Sequence, residues 1–374
     1  MLIMPLGDIF IETFKISAPE YSYLVSSYAF AAFFSALIGI KYLDRFDRKK
    51  ALVFIYAGFS IGTFLCAFAN TYEILLISRF FTGLFGGIIG ALVLSIVSDI
   101  YSFKERGYAM GILMAAFSAA SAFGVPTGIY LAAKGNWQLP FLIIGIAGFV
   151  ITALLFFYFP SLTKHMQSSG PKKSLRQILK NVYRDKNQVN ALIAGFVLVL
   201  GHFLIIPFIS PYMIKNVGLS QMEITYQFFF GGLATVFTAN IIGRLTDRYG
   251  VQRLFLYLVL LAIVPTLIIA NLKVVPLAVA IGISVMFFIF ASGRFIPANA
   301  IITASTGSEN RGSFMSIKSA LQQLAIALSA FISGAIITIE DGQYVNYPIV
   351  GILAVVITLS SIFFVRKLKV AKGN

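Results

Sequence analysis

Gly243-Arg244-Leu245-Thr246-Asp247-Arg248-Tyr249-Gly250 follows one long apolar run, and Asp44-Arg45-Phe46-Asp47-Arg48-Lys49 follows another. The two stretches share an Asp-Arg step, and Asp44 and Asp247 stand 203 residues apart. Arg106-Gly107 and Arg311-Gly312 repeat at an interval of 205 residues. Two separate marks at nearly one interval indicate a duplicated unit, so the chain is predicted to consist of two related halves with parallel topology.

Between these loops the chain is strongly apolar: 59% of its 374 residues are hydrophobic and 11% are charged. Soluble domains average about 25% charged residues, and a membrane-spanning helix needs about 20 apolar residues. Residues 1–14 form a short apolar stretch that covers about 21 Å of a hydrocarbon core of roughly 30 Å, so we expect a truncated first span and apolar residues before Met1 in the natural protein. Eleven longer runs predict further spans near residues 21–43, 51–69, 73–97, 107–133, 138–159, 189–213, 222–243, 253–271, 274–303, 313–338 and 345–365.

The basic residues lie almost entirely on one side of the predicted membrane. Among the 29 Lys and Arg residues, the exceptions are four in the opposite loops and two within spans, namely Lys15, Lys134, Lys215, Lys273, Arg79 and Arg294. Loops rich in Lys and Arg stay in the cytoplasm, so we expect a multi-pass protein of the plasma (inner) membrane with a cytoplasmic C-terminus. The formal net charge of +15 is then a topology signal and predicts no nucleic-acid partner.

The longest polar interval divides the chain into three parts. We expect an N-terminal six-span bundle in residues 1–160, a cytoplasmic linker in 161–188, and a C-terminal six-span bundle with a short basic tail in 189–374. Linker residues with helical spacing predict an amphipathic helix on an anionic membrane surface. A plain solvated linker is the alternative. The apolar positions of this helix are Leu175, Ile178, Leu179, Val182 and Tyr183.

The repeated loop resembles the signature of the major facilitator superfamily, Gly-x-Leu-x-Asp-Arg-x-Gly-Arg-Lys. The first copy has Ile40 and Asp47 where the family pattern has glycines. The matching positions in the two copies are Asp44, Arg45, Arg48 and Lys49, and Gly243, Leu245, Asp247, Arg248 and Gly250. The resemblance implies an all-α membrane protein with twelve spans in two six-helix bundles, acting as a monomer without a cofactor.

Two further motifs carry the same resemblance. Arg79-Phe80-Phe81-Thr82-Gly83 is similar to the fourth-span motif of the family, whose arginine lies in the membrane. Gly124-Val125-Pro126-Thr127-Gly128 resembles the fifth-span pattern of drug/proton antiporters and similar efflux carriers. The resemblance therefore favours the antiporter branch of the superfamily.

These motif residues also have a direct physical interpretation. Asp44 with Arg45 and Arg48 forms a cluster of alternating charge that could latch helix ends in one conformation, and simple topogenic charge is the alternative. Asp99 could pair with Arg48 or Arg45. The glycines of the fourth span allow close helix packing, and Gly124, Pro126 and Gly128 are expected to weaken or kink the fifth-span helix.

Ionisable residues within spans are costly and mark candidate functional sites. Asp8 and Arg79 are predicted at similar depth below the outer surface, so they could form a proton-sensitive pair or a static salt bridge. His202 near mid-membrane could exchange protons, although hydrogen bonding to a neighbouring helix explains it as well. Arg294 would bind an anionic substrate or counter-ion if it faces the cavity.

The sequence contains neither a phosphate-binding loop nor a metal-binding set, so we expect no enzyme, no metal site and no ATP-driven pump. Energy would come from a proton gradient. The first hypothesis is secondary active transport by alternating access, with proton-coupled efflux of a small hydrophobic or amphipathic solute. Alternatives are export of sugars or metabolites, lipid transport, proton-driven uptake, and a non-transporting membrane sensor. Membrane lipids and protons are the other expected partners.

Overall fold

The computed structural model describes residues 2–42, 45–101, 109, 112, 113, 116, 119–163, 166, 175–307 and 311–371. This part of the chain is almost entirely helical, and a two-stranded antiparallel hairpin joins β1 (Thr338–Glu340) to β2 (Gln343–Val345). The helices are α1 (Gly7–Phe14), α2 (Ala18–Tyr42), α3 (Arg48–Ala67), α4 (Tyr72–Ile100), α5 (Val125–Lys134), α6 (Gln138–Tyr158), α7 (Leu175–Arg184), α8 (Lys186–Lys215), α9 (Gln221–Tyr249), α10 (Val251–Ala270), α11 (Leu277–Phe287), α12 (Phe295–Ala304), α13 (Arg311–Ile336) and α14 (Tyr347–Arg366).

The described residues contain ten helices long and apolar enough to cross a membrane, with α11 and α12 counted as one. The predicted number of twelve is not confirmed. Helix α1 has eight residues, and the span predicted near 107–133 falls partly on residues outside the described part of the chain. The span predicted near 274–303 is not one regular helix, because a π-helical turn at Phe288–Ser292 separates α11 from α12.

Polar residues at the ends of the apolar runs begin several helices. Ser220 and Glu223 form a reciprocal capping box at the start of α9. At the start of α8, the Asp185 carboxylate accepts a hydrogen bond of 2.9 Å from the backbone N–H of Asn187. Such caps satisfy backbone N–H groups that have no partner within the helix. Helix boundaries near the membrane surfaces therefore follow from local sequence.

We call α1–α6 the N-terminal half and α7–α14 the C-terminal half, and the helices pack both within and between these halves. In the N-terminal half α3 packs against α4 and α6, and α2 packs against α4; in the C-terminal half α8 packs against α13 and α14. Between the halves α2 packs against α13, α5 against α9, and α1 against α8. Gly83 permits one of the closest contacts, because a Cβ there would stand 2.9 Å from the Ala31 Cβ and nearer still to the Tyr28 carbonyl oxygen.

Helix α7 lies in the predicted linker and belongs to the C-terminal half. Its Val182 is buried and joins a hydrophobic cluster with Leu192 and Phe255. Tyr183 on the same helix is exposed. The helix thus has one face packed against protein and another free of it.

The hydrophobic core is continuous between the halves at one end of the molecule only. We call the end that carries the basic loops the basic end, and the other the opposite end. At the opposite end a single cluster includes Leu6 and Phe10 of α1 together with Phe208 of α8. Toward the basic end the described clusters lie within single halves, apart from Ile40 of α2, which packs against the C-terminal half. The structure is therefore closed at the opposite end.

Candidate functional site: the contact between the halves

The hydroxyl of Tyr21 joins the two halves at the opposite end. Tyr21 on α2 is fully buried and donates a hydrogen bond of 2.9 Å to the carbonyl oxygen of Pro207 on α8. In a regular helix that oxygen accepts the N–H four residues later, but the residue there is Pro211, which has no N–H. The spacing of two prolines in α8 thus creates the acceptor that Tyr21 uses.

Gly7 permits this arrangement. A Cβ at Gly7 would stand 2.6 Å from the Tyr21 ring carbon Cζ and 2.8 Å from Cγ of Pro211. Both distances are shorter than a van der Waals contact between carbon atoms. Only glycine lets α1 lie so close to both halves.

Asp8 on α1 is buried and contacts two residues of the C-terminal half. Its carboxylate lies 3.6 Å from the Lys215 ammonium nitrogen at the end of α8. It also accepts a hydrogen bond of 3.3 Å from the Tyr344 hydroxyl on β2. Glu12, one helical turn further along α1, makes a second ion pair with Lys215. We call Asp8, Glu12, Lys215 and Tyr344 the latch.

Arg79 lies on α4 within the N-terminal half. Its guanidinium carbon is 4.5 Å from the centre of the Tyr28 ring, and its Nε atom has no hydrogen-bond partner among the described residues. The predicted pairing of Arg79 with Asp8 is absent from this conformation, because the latch holds Asp8. A cation over an aromatic face gains part of the stabilisation that a carboxylate would supply.

His202 and Arg294 come together inside the C-terminal half. His202 is on α8 and Arg294 immediately precedes α12, and both line one small cavity. That cavity is also lined by Thr266 of α10 and Thr358 of α14, so it lies among helices of a single half. The structure thus gathers two of the four predicted ionisable residues, and it separates them from the latch.

The first loop motif binds the ends of three helices together at the basic end. The Arg48 Nε atom is 2.9 Å from the Asp99 carboxylate, so the predicted pairing with Asp99 is present. Asp47 caps α3 and also accepts hydrogen bonds from the Ser161 hydroxyl at 2.6 Å and the Leu162 amide at 2.9 Å. An aspartate at this position thus supplies contacts that a glycine could not.

The two other charged residues of this motif that were predicted to form the cluster are Arg45 and Asp44. The Arg45 guanidinium lies 5.4 Å from the ring centre of Tyr42. Asp44 lies outside the described residues. The latching role predicted for this cluster therefore stays a prediction.

The second loop motif differs in its contacts. Asp247 is exposed and makes no ion pair within the described part of the chain, while Arg248 lies 5.4 Å from the ring centre of Tyr249. A Cβ at Gly243 would meet no atom of the described residues within 4 Å. Gln252 makes the tertiary contact instead, donating a hydrogen bond of 3.0 Å to the Leu368 carbonyl oxygen.

The fifth-span motif lies where α5 of one half meets α9 of the other. A π-helical turn at Ala120–Gly124 runs directly into α5, and Pro126 is the second residue of α5, where it has no N–H to donate to the preceding turn. Phe123 in this turn has its ring 6.2 Å from that of Phe229 on α9. A Cβ at Gly128 would collide with Leu2. The predicted departure from regular helix is present, and it comes before the proline.

Sequence reasoning identified Asp8 and missed its partners. Asp8 and Glu12 lie one turn apart on one helix face, and Lys215 is one of four basic residues in the opposite loops, so these were available signals. Nothing local marks Tyr344 or Tyr21. Their roles depend on contacts between distant parts of the chain.

Comparison with known proteins agrees with this architecture. The family model described as Major Facilitator Superfamily matches residues 1–293 and 191–374. The uncharacterized MFS-type transporter YbcL of Bacillus subtilis (strain 168) is 22% identical over 358 residues, which are 96% of this chain and 89% of that protein. A probable sugar efflux transporter of Helicobacter acinonychis (strain Sheeba) is 23% identical over 262 residues, 70% of this chain and 65% of that protein.

A solved structure shows the same fold. It is a bacterial homolog of the human lysosomal transporter Spinster in an inward-facing and unoccupied conformation, with a TM-score of 0.76, 16% identity, and coverage of 97% of this chain and 92% of that one. The ten apolar helices, the shared fold and the family match agree with one another. The chain therefore belongs to the Major Facilitator Superfamily, and it is an integral membrane transporter of a small molecule and not an enzyme.

Proposed function

We propose that this transporter is a proton-coupled exporter of a small hydrophobic or amphipathic solute. It works by alternating access, as a monomer in the cytoplasmic membrane, with its basic end in the cytoplasm. The observation that carries the coupling is the latch. Asp8 is a buried carboxylate of the N-terminal half, and its described partners Lys215 and Tyr344 come from the C-terminal half.

The latch links protonation to conformation. When the Asp8 carboxylate gains a proton, it loses its charge and with it the attraction to the Lys215 ammonium. The balance between the closed and open states changes with the charge of Asp8. By thermodynamic reciprocity, a difference in proton affinity of Asp8 between the closed and open states lets protonation shift the balance between them. Every proton-driven carrier requires a linkage of this kind.

Two other observations support export as the direction of transport and a hydrophobic or amphipathic molecule as the solute. The fifth-span residues Gly124, Pro126 and Gly128 resemble the antiporter pattern and lie beside the contact between α5 and α9. The apolar, phenylalanine-rich spans suit a solute with a hydrophobic part. Sugar export is the second candidate, because relatives that match about 70% of this chain are named probable sugar efflux transporters.

Inverted membrane vesicles test this function. With the vesicle lumen more acidic than the outside, we would add Hoechst 33342 as the amphipathic probe or arabinose as the sugar probe and measure uptake and loss of the gradient. We expect the amphipathic probe to be taken up in wild-type vesicles and in Asp341→Asn, which alters an exposed carboxylate. Asp8→Asn should abolish the dependence of uptake on the gradient.

The outcomes separate the candidates. Uptake of arabinose alone would replace the first candidate with sugar export. Uptake of neither probe, and no counterflow in proteoliposomes, would favour a membrane sensor. A proton dependence that is unchanged in a well-folded Asp8→Asn protein would contradict the coupling role of the latch.

A further inference from the structure

The Arg294 guanidinium is a buried cation with no partner among the described residues. The residue is 4% exposed, and its side chain makes no hydrogen bond or ion pair with any part of the chain that the structure describes. An arginine keeps its charge under physiological conditions and offers five N–H donors. A buried charge of this kind is strongly unfavourable unless an opposite charge or several acceptors compensate it.

The backbone geometry directs Arg294 into the interior. The π-helical turn Phe288–Ser292 interrupts the span, and Arg294 occupies the N-cap position of α12. π-Helical turns are rare and often occur at functional sites. The interruption changes the face on which the arginine lies from the one that a continuous helix would give.

His202 presents a second unpartnered group to the same cavity. Its Nδ1 atom is buried and has no hydrogen-bond partner among the described residues. The imidazole is stacked on Phe287, with the ring centres 5.9 Å apart and the planes 8° apart, and it meets Phe295 edge-on at 5.1 Å. The aromatic rings hold the imidazole in place and offer it no acceptor.

The cavity between these two side chains has a volume of about 10 Å³, about the room of one water molecule. Its described lining contains no Asp or Glu. Two carboxylates that the structure describes in or beside the spans are engaged elsewhere, Asp8 with Lys215 and Asp99 with Arg48. Among the described residues, no carboxylate pairs with Arg294, so a bound anion would supply the compensating negative charge.

We propose that Arg294 and His202 form a binding site for a monovalent anion within the C-terminal half. The planar guanidinium matches a carboxylate, and the imidazole supplies a further N–H donor. The cavity is small, so a bound anion displaces water and shifts the neighbouring rings. The anion is either the carboxylate group of the transported solute or a small inorganic anion such as chloride that stays bound as a counter-ion. The first alternative rests on the proposed function.

Calorimetric titration of the purified full chain in lipid nanodiscs tests the site without transport. The buffer contains sulfate as its bulk anion, and the probes are chloride, acetate and benzoate, with uncharged benzamide as the comparison. We expect saturable binding of at least one monovalent anion and no binding of benzamide. Arg294→Gln should weaken that binding by about tenfold or more, as expected for loss of charge-assisted hydrogen bonds. The matched control Arg253→Gln changes an exposed arginine of α10 and should bind as the wild type does.

Thermal unfolding without added anion gives an independent measurement. Arg294→Gln removes an uncompensated buried charge, so its midpoint should be higher than that of the wild type in sulfate buffer. A lower midpoint would mean that the protein itself compensates the guanidinium, and the proposal would be wrong. His202→Gln keeps the charge of Arg294 and should weaken anion binding less than Arg294→Gln does.

The remaining outcomes show whether the anion is an inorganic ion or part of the solute. They also separate failure of the anion site from failure of the proposed proton-driven export. Chloride binding that excludes benzoate identifies a resident counter-ion, and benzoate binding identifies a site for the carboxylate of a solute. Absence of binding by every monovalent anion, or equal binding by Arg294→Gln, would overturn the proposal. Because these titrations need no gradient, such a failure leaves the proton-driven vesicle assay and its conclusion unaffected.

Discussion

At the scale of single residues, one hydroxyl group connects the two halves of the transporter. Tyr21→Phe removes the donor to the Pro207 carbonyl oxygen and leaves that buried oxygen unpaired. We expect the state closed at the opposite end to lose about 1 kcal/mol relative to the open state, about a fivefold change in their ratio. Tyr23→Phe is the control, because the Tyr23 hydroxyl makes no hydrogen bond among the described residues.

Electron spin resonance can measure this ratio. Cys66 is the single cysteine of the chain and is buried, so a Cys66→Ser background allows spin labels at Thr13 and Lys273. Both positions are exposed, and each lies on a different half. A distance distribution in Tyr21→Phe that matches the wild type would contradict the importance of this hydrogen bond.

Arg79 carries a second prediction at this scale. Arg79→Lys keeps the positive charge but replaces a planar guanidinium that lies over the Tyr28 ring with a compact ammonium. We expect a loss of gradient-driven transport by about tenfold or more, since an ammonium cannot stack on the ring face as a planar guanidinium does. The control is Arg253→Lys at an exposed position. A wild-type rate in a monodisperse Arg79→Lys protein would refute the prediction.

At the scale of helices, Asp47 determines how α3 begins. Burial raises the pKa of its carboxyl, but hydrogen bonds from Ser161, Leu162 and Lys49 outweigh burial and leave the pKa below its ordinary value. Because the folded pKa is the lower one, the contribution to stability is present above the unfolded value of about 3.9. It is lost as the pH falls through the folded pKa.

Asp47→Ala should therefore lower the free energy of unfolding by about 1 kcal/mol at neutral pH, a common value for a lost N-cap. The difference from the wild type should shrink below about pH 4. Thermal unfolding in detergent between pH 7 and pH 3 measures both effects. Asp247→Ala, at an exposed carboxylate in the other half, should show neither. A difference that persists undiminished at pH 3 would show that the charge of Asp47 is not the cause.

At the scale of the whole molecule, the two halves meet through small residues. Gly334 on α13 faces α2, where a Cβ would stand 3.1 Å from the Ala18 carbonyl oxygen and would overlap Ser22. Gly334→Val should force these helices apart and disfavour closure at the opposite end. We expect longer distances between labels at Thr13 and Lys273, together with slower transport.

Gly282→Val is the matched control for this prediction. Gly282 lies within α11, where a Cβ would meet no described atom within 4 Å, so the substitution carries the same local effect on the helix without the collision. If both variants change the label distances equally, the effect comes from helix propensity. In that case the contact between α2 and α13 would not control closure.

Local sequence determined the membrane class and most of the spans, whereas the duplication stays a prediction. These features follow from short-range physics: about 20 apolar residues are needed to cross a bilayer, and loop charges fix orientation. The Asp-Arg loops and the fifth-span motif were readable for the same reason. Asp8, Arg79, His202 and Arg294 were identifiable as candidates because an ionisable residue in an apolar run is conspicuous.

Only the tertiary structure decided which of these residues meet. Asp8 receives a hydrogen bond from Tyr344, 336 residues away, while its predicted partner Arg79 lies over Tyr28 instead. The position of a residue along a span gives only its depth in the membrane. Whether two residues touch also depends on how each helix is rotated and tilted and on which helix lies beside it. The π-helical turn before Arg294 shows the same limit, since it rotates that side chain relative to the helix that periodicity predicts. Partnership between distant residues is therefore a property of packing, which the sequence pattern of a single span does not contain.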